Sequence, residues 1–84
     1  MSKAGKRAKQ EVSRADVIKM GKWLKRRREA IGMSRATLAA KIGTTYDSIR
    51  LYETGKQTMR FDRLCDLLNA LGLDIATFFP DAMR

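Results

Sequence analysis

Apolar residues recur at steps of three and four through most of the chain, which is the periodicity of amphipathic helices. The first such stretch starts after Ser13, which together with Asp16 resembles a capping box. It stops before Gly32, since glycine is favoured at the position that follows the end of a helix. Its periodic positions are Val17, Met20, Leu24, Arg28 and Ile31.

Two short helices are predicted next, each with a hydroxyl cap before it and a glycine after it. The caps are Ser34 and Thr45, and the glycines are Gly43 and Gly55. The inward positions of the two helices are Leu38, Ala39, Ile42, Ile49 and Tyr52.

Two further helices complete the pattern. The fourth ends at Gly72, and the fifth is capped by Asp74 and ends before Pro80. Their apolar positions are Phe61, Leu64, Leu67, Leu68 and Leu71 in the fourth and Ile75, Phe78 and Phe79 in the fifth. Since no segment alternates with period two, the sequence predicts an all-α domain of five helices.

The amino-acid composition excludes several classes of function. The chain has 84 residues, no His and one Cys, which allows one small domain and excludes a His/Cys zinc site or a His-based triad. We predict no cofactor, no metal and no enzyme activity, because nothing resembles an activated nucleophile or a paired acid and base. Without a long apolar run or a signal peptide, we expect a cytoplasmic protein with no membrane partner.

The net charge of +9 predicts a polyanionic partner. The excess is +3 over residues 1–17 and +8 over residues 18–60, whereas residues 61–84 carry −2. Residues 1–12 are expected to form a flexible basic arm and residues 13–84 the folded domain. The arm could contact DNA or be a free tail.

The stretch 34–54 has the pattern of a helix-turn-helix, in which the second helix enters the major groove. The motif has a small residue, a glycine, a β-branched residue and a bulky apolar residue at set spacings. Here these are Ala39, Gly43, Ile49 and Tyr52. Small contact residues let two short helices cross steeply.

The chain resembles the Cro/repressor-like (XRE) helix-turn-helix domains of phage and bacterial regulators over about residues 18–79. The similar motifs are Gly21, Arg28 four before Gly32, Met33-Ser34-Arg35, Gly43-Thr44-Thr45, Ile49, Tyr52-Glu53, Gly55-Lys56 and Ala70-Leu71-Gly72. The resemblance implies a lambda-repressor-like fold and binding of double-stranded DNA as a homodimer. It also implies that Arg28 and Glu53 form a structural ion pair joining helices 1 and 3.

Base readout is expected from the residues that lie outward when Ile49 and Tyr52 point inward. These are Thr45, Tyr46, Asp47, Arg50 and Leu51. Arg50 can pair with guanine or instead hold a phosphate. Asp47 can accept from cytosine or merely favour the helix N-terminus. Thr45 and Leu51 can meet a thymine methyl, and Tyr46 can bond a base or a phosphate.

Phosphate contacts are expected at the start of helix 2 and in the loop after helix 3. The candidates are Arg35, Thr44, Lys56, Gln57 and Thr58. The neighbouring Lys25, Arg26 and Arg27 are interpreted as a solvated basic face, and Trp23 as a packing residue.

The candidate dimer interface is apolar and lies near the C-terminus: Leu73, Ile75, Phe78 and Phe79. One of the two phenylalanines is expected to complete the monomer core instead. The favoured function is a sequence-specific transcriptional regulator, a repressor on a palindromic operator. An antitoxin with a toxin partner, a restriction–modification control protein and a coactivator that binds a polymerase subunit are the alternatives.

Overall fold

The structure, a computed structural model, describes residues 13–82, and these form five helices with no strand among them. The bounds are α1 Arg14–Ala30, α2 Arg35–Ile42, α3 Tyr46–Glu53, α4 Phe61–Ala70 and α5 Ile75–Ala82. The predicted all-α, five-helix architecture is confirmed. The proposed arm over residues 1–12 lies outside the described residues. Within residues 13–82, no helix combines the length and the apolar character needed to cross a membrane.

Side-chain caps fix the starts of the first three helices. Ser13, Ser34 and Thr45 each accept a hydrogen bond from the main-chain N–H three positions later, at 3.0 or 3.1 Å. A hydroxyl at this position satisfies one of the N–H groups that have no partner inside the helix. The predicted caps are therefore present, and they set where α1, α2 and α3 begin.

One apolar core joins the five helices. Its fully buried side chains are Trp23, Leu24, Leu38, Ile49, Leu67, Leu68 and Phe78. Trp23 of α1 meets Phe78 of α5 edge to face, with ring centroids 5.2 Å apart. The indole Nε1–H of Trp23 donates to Asp81 Oδ2 at 2.7 Å, so α5 is held against α1 by a polar contact as well as by packing.

Helices α1 and α3 approach so closely that a glycine is needed between them. A Cβ at Gly21 would overlap the main-chain carbonyl oxygen of Tyr52 and lie 2.9 Å from that of Glu53. This contact seats the end of α3 directly on α1 and so fixes the orientation of α3 relative to the rest of the domain.

The last two helices differ in how they match the expectations. Helix α4 begins at Phe61, which is 63% exposed, and its buried positions begin one turn later with Leu64. Helix α5 does not end before Pro80 but continues to Ala82. Its last turn stays helical although a proline cannot donate a main-chain bond, since Ala82 is buried in the core and Asp81 bonds to α1.

Candidate nucleic-acid interface

Helices α2 and α3 form a compact two-helix unit around a tight turn. Gly43 adopts φ +72°, a left-handed conformation that costs a glycine little, and the following Thr44 N–H donates to the carbonyl of Ala39 at 2.9 Å. Ile49 and Tyr52 are buried, so they anchor the inward face of α3 as predicted. The opposite face of α3 is thereby turned away from the core.

The outward face of α3 is polar. Tyr46 and Asp47 are exposed, whereas Arg50 and Leu51 are half-buried. Thr45 is exposed just before the helix, with its hydroxyl engaged in capping α3. All five residues that are predicted to read bases thus lie on α3 or at its N-cap.

Asp47 and Arg50 bond to each other one turn apart on this face. Arg50 donates to Asp47 Oδ1 from Nε at 2.9 Å and from Nη2 at 2.7 Å. The sequence analysis predicts that the two residues contact DNA bases independently of each other. Their i,i+3 spacing on a helix is the signal that could have paired them in advance.

A buried ion-pair network joins the end of α3 to α1 and α2. Glu53 at the end of α3 accepts from Arg28 of α1 through Nε at 2.6 Å and Nη2 at 2.9 Å. This is the pair that the family resemblance implied. Glu53 Oε1 also accepts from Arg35 Nε at 2.9 Å, which joins α2 to the same carboxylate. The sequence analysis did not predict this third member.

Contact with Glu53 affects the pKa of both guanidiniums in the same direction. Hydrogen bonding to Glu53 raises the pKa of Arg28 above its ordinary value, although burial opposes the shift. A separate hydrogen bond from Arg35 to the same carboxylate raises the pKa of Arg35. One carboxylate therefore balances two cations, and the cluster has a net positive charge beside the outward face of α3.

Arg35 has a second contact that links the network to that face. Its guanidinium lies over the ring of Tyr46, 5.8 Å from the centroid. Arg35 and Tyr46 line an open depression on the surface. Lys25 of α1 and Ser34, the cap of α2, line it as well. Arg35, expected as a simple phosphate contact, is thus also a structural residue that joins α2 and α3.

The loop after α3 carries the other expected phosphate contacts. Lys56, Gln57 and Thr58 are all exposed, and the Lys56 N–H donates to the carbonyl of Leu51 at 3.0 Å. This bond turns the chain sharply at the end of α3. Thr44 is half-buried in the turn between α2 and α3.

The basic residues of α1 divide by exposure. Lys25 and Arg26 are exposed, whereas Arg27 is half-buried with its guanidinium 5.5 Å from the centroid of the Trp23 ring. Trp23 itself is 1% exposed, so it is a packing residue as interpreted and cannot stack on a base.

The candidate dimer residues differ in their accessibility. Phe79 is 55% exposed, while Phe78 is 2% exposed and packs edge to face on Trp23. Phe78 is thus the phenylalanine that completes the monomer core, as expected for one of the two, and its buried ring corrects its assignment to the interface. Leu73 and Ile75 are half-buried and pack against the core.

Comparison with known proteins adds the family. A model of the helix-turn-helix family matches residues 24–78. A transcriptional regulator in the ATPase CF(0) region of Rhodospirillum rubrum is 35% identical over 65 residues, which are 77% of this chain and 60% of that protein. An HTH-type transcriptional regulator of Sinorhizobium medicae is 32% identical over 77% of this chain and 47% of its own length. The chain thus spans about half of the curated relatives it matches.

A solved structure has a similar fold. Hydroxypropylphosphonic acid epoxidase from S. wedmorenis superposes with a TM-score of 0.70 at 26% identity, over 76% of this chain and 34% of the enzyme. The similarity covers about a third of that enzyme. Within residues 13–82 of the present chain, no group of three or more His, Cys, Asp or Glu side chains is placed to hold a metal ion.

Proposed function

The chain belongs to the helix-turn-helix family, and from this we propose that it is a transcriptional regulator that binds double-stranded DNA with α3 in the major groove. The observation that carries the proposal is the polarity of α3. Its inward face is fixed by buried Ile49 and Tyr52, while Tyr46 and Asp47 lie on the outward face in the first turn and Arg50 lies one turn further along the helix. A recognition helix contacts base edges with its N-terminal residues.

Base contacts are assigned to the outward residues by their chemistry. Arg50 suits guanine O6 and N7, and the Leu51 side chain and the Thr45 methyl suit a thymine methyl. Tyr46 can donate to a base or a phosphate. The charge supports this use of the surface, because the stretch 18–60 contains eleven basic residues and only three acidic ones.

Phosphate contacts are assigned to both ends of the two-helix unit. Lys56, Gln57 and Thr58 follow α3 and are exposed, while Thr44 lies in the turn before it. Arg35 has its Nε bound to Glu53, so it would meet a phosphate with its remaining N–H groups.

We further propose that the protein acts as a repressor, with a homodimer on a palindromic operator. One domain reads too few base pairs for a useful specificity in a genome. Two copies would place their α3 helices about 34–36 Å apart, one turn of the duplex. Exposed Phe79 with half-buried Leu73 and Ile75 is the interface we propose. The antitoxin, control-protein and coactivator alternatives use the same fold.

The test is selection of binding sites from random DNA with the purified full chain, followed by footprinting and a salt titration. We expect an inverted repeat and an affinity whose logarithm falls by about 0.9 per phosphate contact for each unit of log salt. Lys56→Ala should weaken all sequences alike and flatten the slope by about one unit per half-site, which is about two units for the dimer. Arg26→Ala, a matched loss of one exposed charge on α1, should leave the slope nearly unchanged. An affinity independent of salt would overturn the DNA-binding proposal. A footprint on the DNA upstream of its own gene separates a regulator from a coactivator.

A further inference from the structure

The pair Asp47–Arg50 has a geometry that selects one edge of the guanidinium. Both bonds from Arg50, through Nε and Nη2, end on the same carboxylate oxygen, Oδ1 of Asp47. A guanidinium carries five N–H groups in a fixed plane. Asp47 engages the edge formed by Nε and Nη2, and the other N–H of Nη2 together with both N–H groups of Nη1 stays available.

The available edge is suited to guanine. Nη1 and Nη2 present two roughly parallel N–H groups, and guanine displays the acceptors O6 and N7 side by side in the major groove. Arg50 can therefore keep both bonds to Asp47 while it binds a guanine with two more. A guanidinium turned around to offer its Nε edge to the base would have to release Asp47.

We propose that Asp47 is a positioning residue for Arg50, and that the two residues together specify a single G·C base pair in each half-site. The inference rests on the proposed function, since it deepens the role of the same helix face. It replaces the expectation that Asp47 reads a cytosine of its own. In the free protein the carboxylate already holds the Arg50 guanidinium in place, so that much of the entropy cost of ordering this long side chain is met before DNA binds.

Electrostatics favours this role for Asp47. A free carboxylate in the major groove would be repelled by the phosphates, whereas a carboxylate bonded to Arg50 belongs to a neutral pair. The pair also makes Arg50 a poorer phosphate clamp, because its charge is already balanced. Exposed ion pairs contribute little to folding stability, and the side chain of Asp47 is 66% exposed. The benefit of this pair is therefore expected in recognition.

The experiment measures binding of the full chain to its selected site and to all single-base-pair variants of that site. Arg50→Ala should lose the preference at one base pair per half-site, which a bidentate contact sets at about 5- to 150-fold. Asp47→Ala should lower the preference at that same base pair by about 2- to 12-fold, the effect of ordering one long side chain. The double variant should have the profile of Arg50→Ala alone.

Asp66→Ala is the matched control, because it removes an exposed carboxylate from α4 and changes the net charge equally. It should alter affinity uniformly and leave every preference unchanged. Melting curves of all variants establish that each one is folded at the assay temperature.

Three results would overturn the inference. Asp47→Ala could relax a different base pair from Arg50→Ala, which would make Asp47 an independent reader. Asp47→Ala could tighten binding to all variants by one factor, which would make it only a repulsive charge. The two substitutions could also be additive at the shared base pair. If the wild-type chain selects no site at all, the proposed function itself fails, and this outcome is distinct from the other three.

Discussion

Replacing Glu53 removes the only carboxylate that the structure places between Arg28 and Arg35 within residues 13–82. The side chain of Glu53 is 1% exposed, and those of Arg28 and Arg35 are 8% and 18% exposed. The three residues come from α3, α1 and α2, so the carboxylate joins three helices at one point. In Glu53→Ala, two guanidiniums would face each other without an anion.

The expected cost follows from burial. Breaking a buried ion pair by removing one partner costs about 3–5 kcal/mol, since the other charge stays poorly solvated. For a domain of this size, about 1 kcal/mol corresponds to roughly 4–8 °C in Tm, so Glu53→Ala should lower Tm by at least ~12 °C. Arg35→Ala leaves the two bonds between Arg28 and Glu53 intact, and we expect it to cost less than ~2 kcal/mol.

The assay is thermal and denaturant unfolding of a series of variants. The expected order of destabilisation is Glu53→Ala, then Arg28→Ala, then Arg35→Ala. Glu53→Gln keeps the shape but not the charge and should still be clearly destabilised. Asp66→Ala serves as the exposed control. The reasoning is refuted if Glu53→Ala melts within about 4 °C of the wild type, or if Arg35→Ala costs more than Arg28→Ala.

Three further predictions concern stability and are measured by melting curves. Gly21→Ala should lower the free energy of unfolding by about 1–3 kcal/mol, because the added Cβ would meet the carbonyl oxygens at the end of α3. Lys22→Ala on the exposed side of α1 is the control. Equal Tm values for the two variants would contradict the close approach of α1 and α3. Asp81→Ala should cost about 1–3 kcal/mol, because it leaves the buried indole N–H of Trp23 without its acceptor; Asp81→Asn, which retains an oxygen, should recover most of the loss, and no recovery would argue against the bond. Arg60→Ser should stabilise the protein by about 0.5–2 kcal/mol, since α4 begins at a residue without a side-chain cap; an unchanged Tm would show that water already satisfies that turn.

The sequence by itself determined the helices and the inward faces of the two-helix unit. Ser34 and Thr45 are caps because a hydroxyl reaches an N–H three residues away, and that interaction needs no other part of the chain. The spacing of Ile49 and Tyr52 likewise sets which face of α3 is buried. The Asp47–Arg50 pair was also within reach of the sequence, since its members are one helical turn apart. The pair Arg28–Glu53 came from family resemblance, because no local spacing connects residues 25 positions apart.

Tertiary structure alone decided the contacts between distant segments. Arg35 became part of the buried network because packing of α2 on α3 brings it to Glu53, 18 residues later in the chain. Phe78 is buried and Phe79 exposed although both are apolar neighbours, because α5 turns only one of them toward Trp23. The last turn of α5 passes the proline at position 80, where local propensity predicts an end. The physical reason is the same in each case: periodicity and caps are interactions within three or four residues, whereas burial and ion pairing depend on which helix surfaces meet when the chain folds.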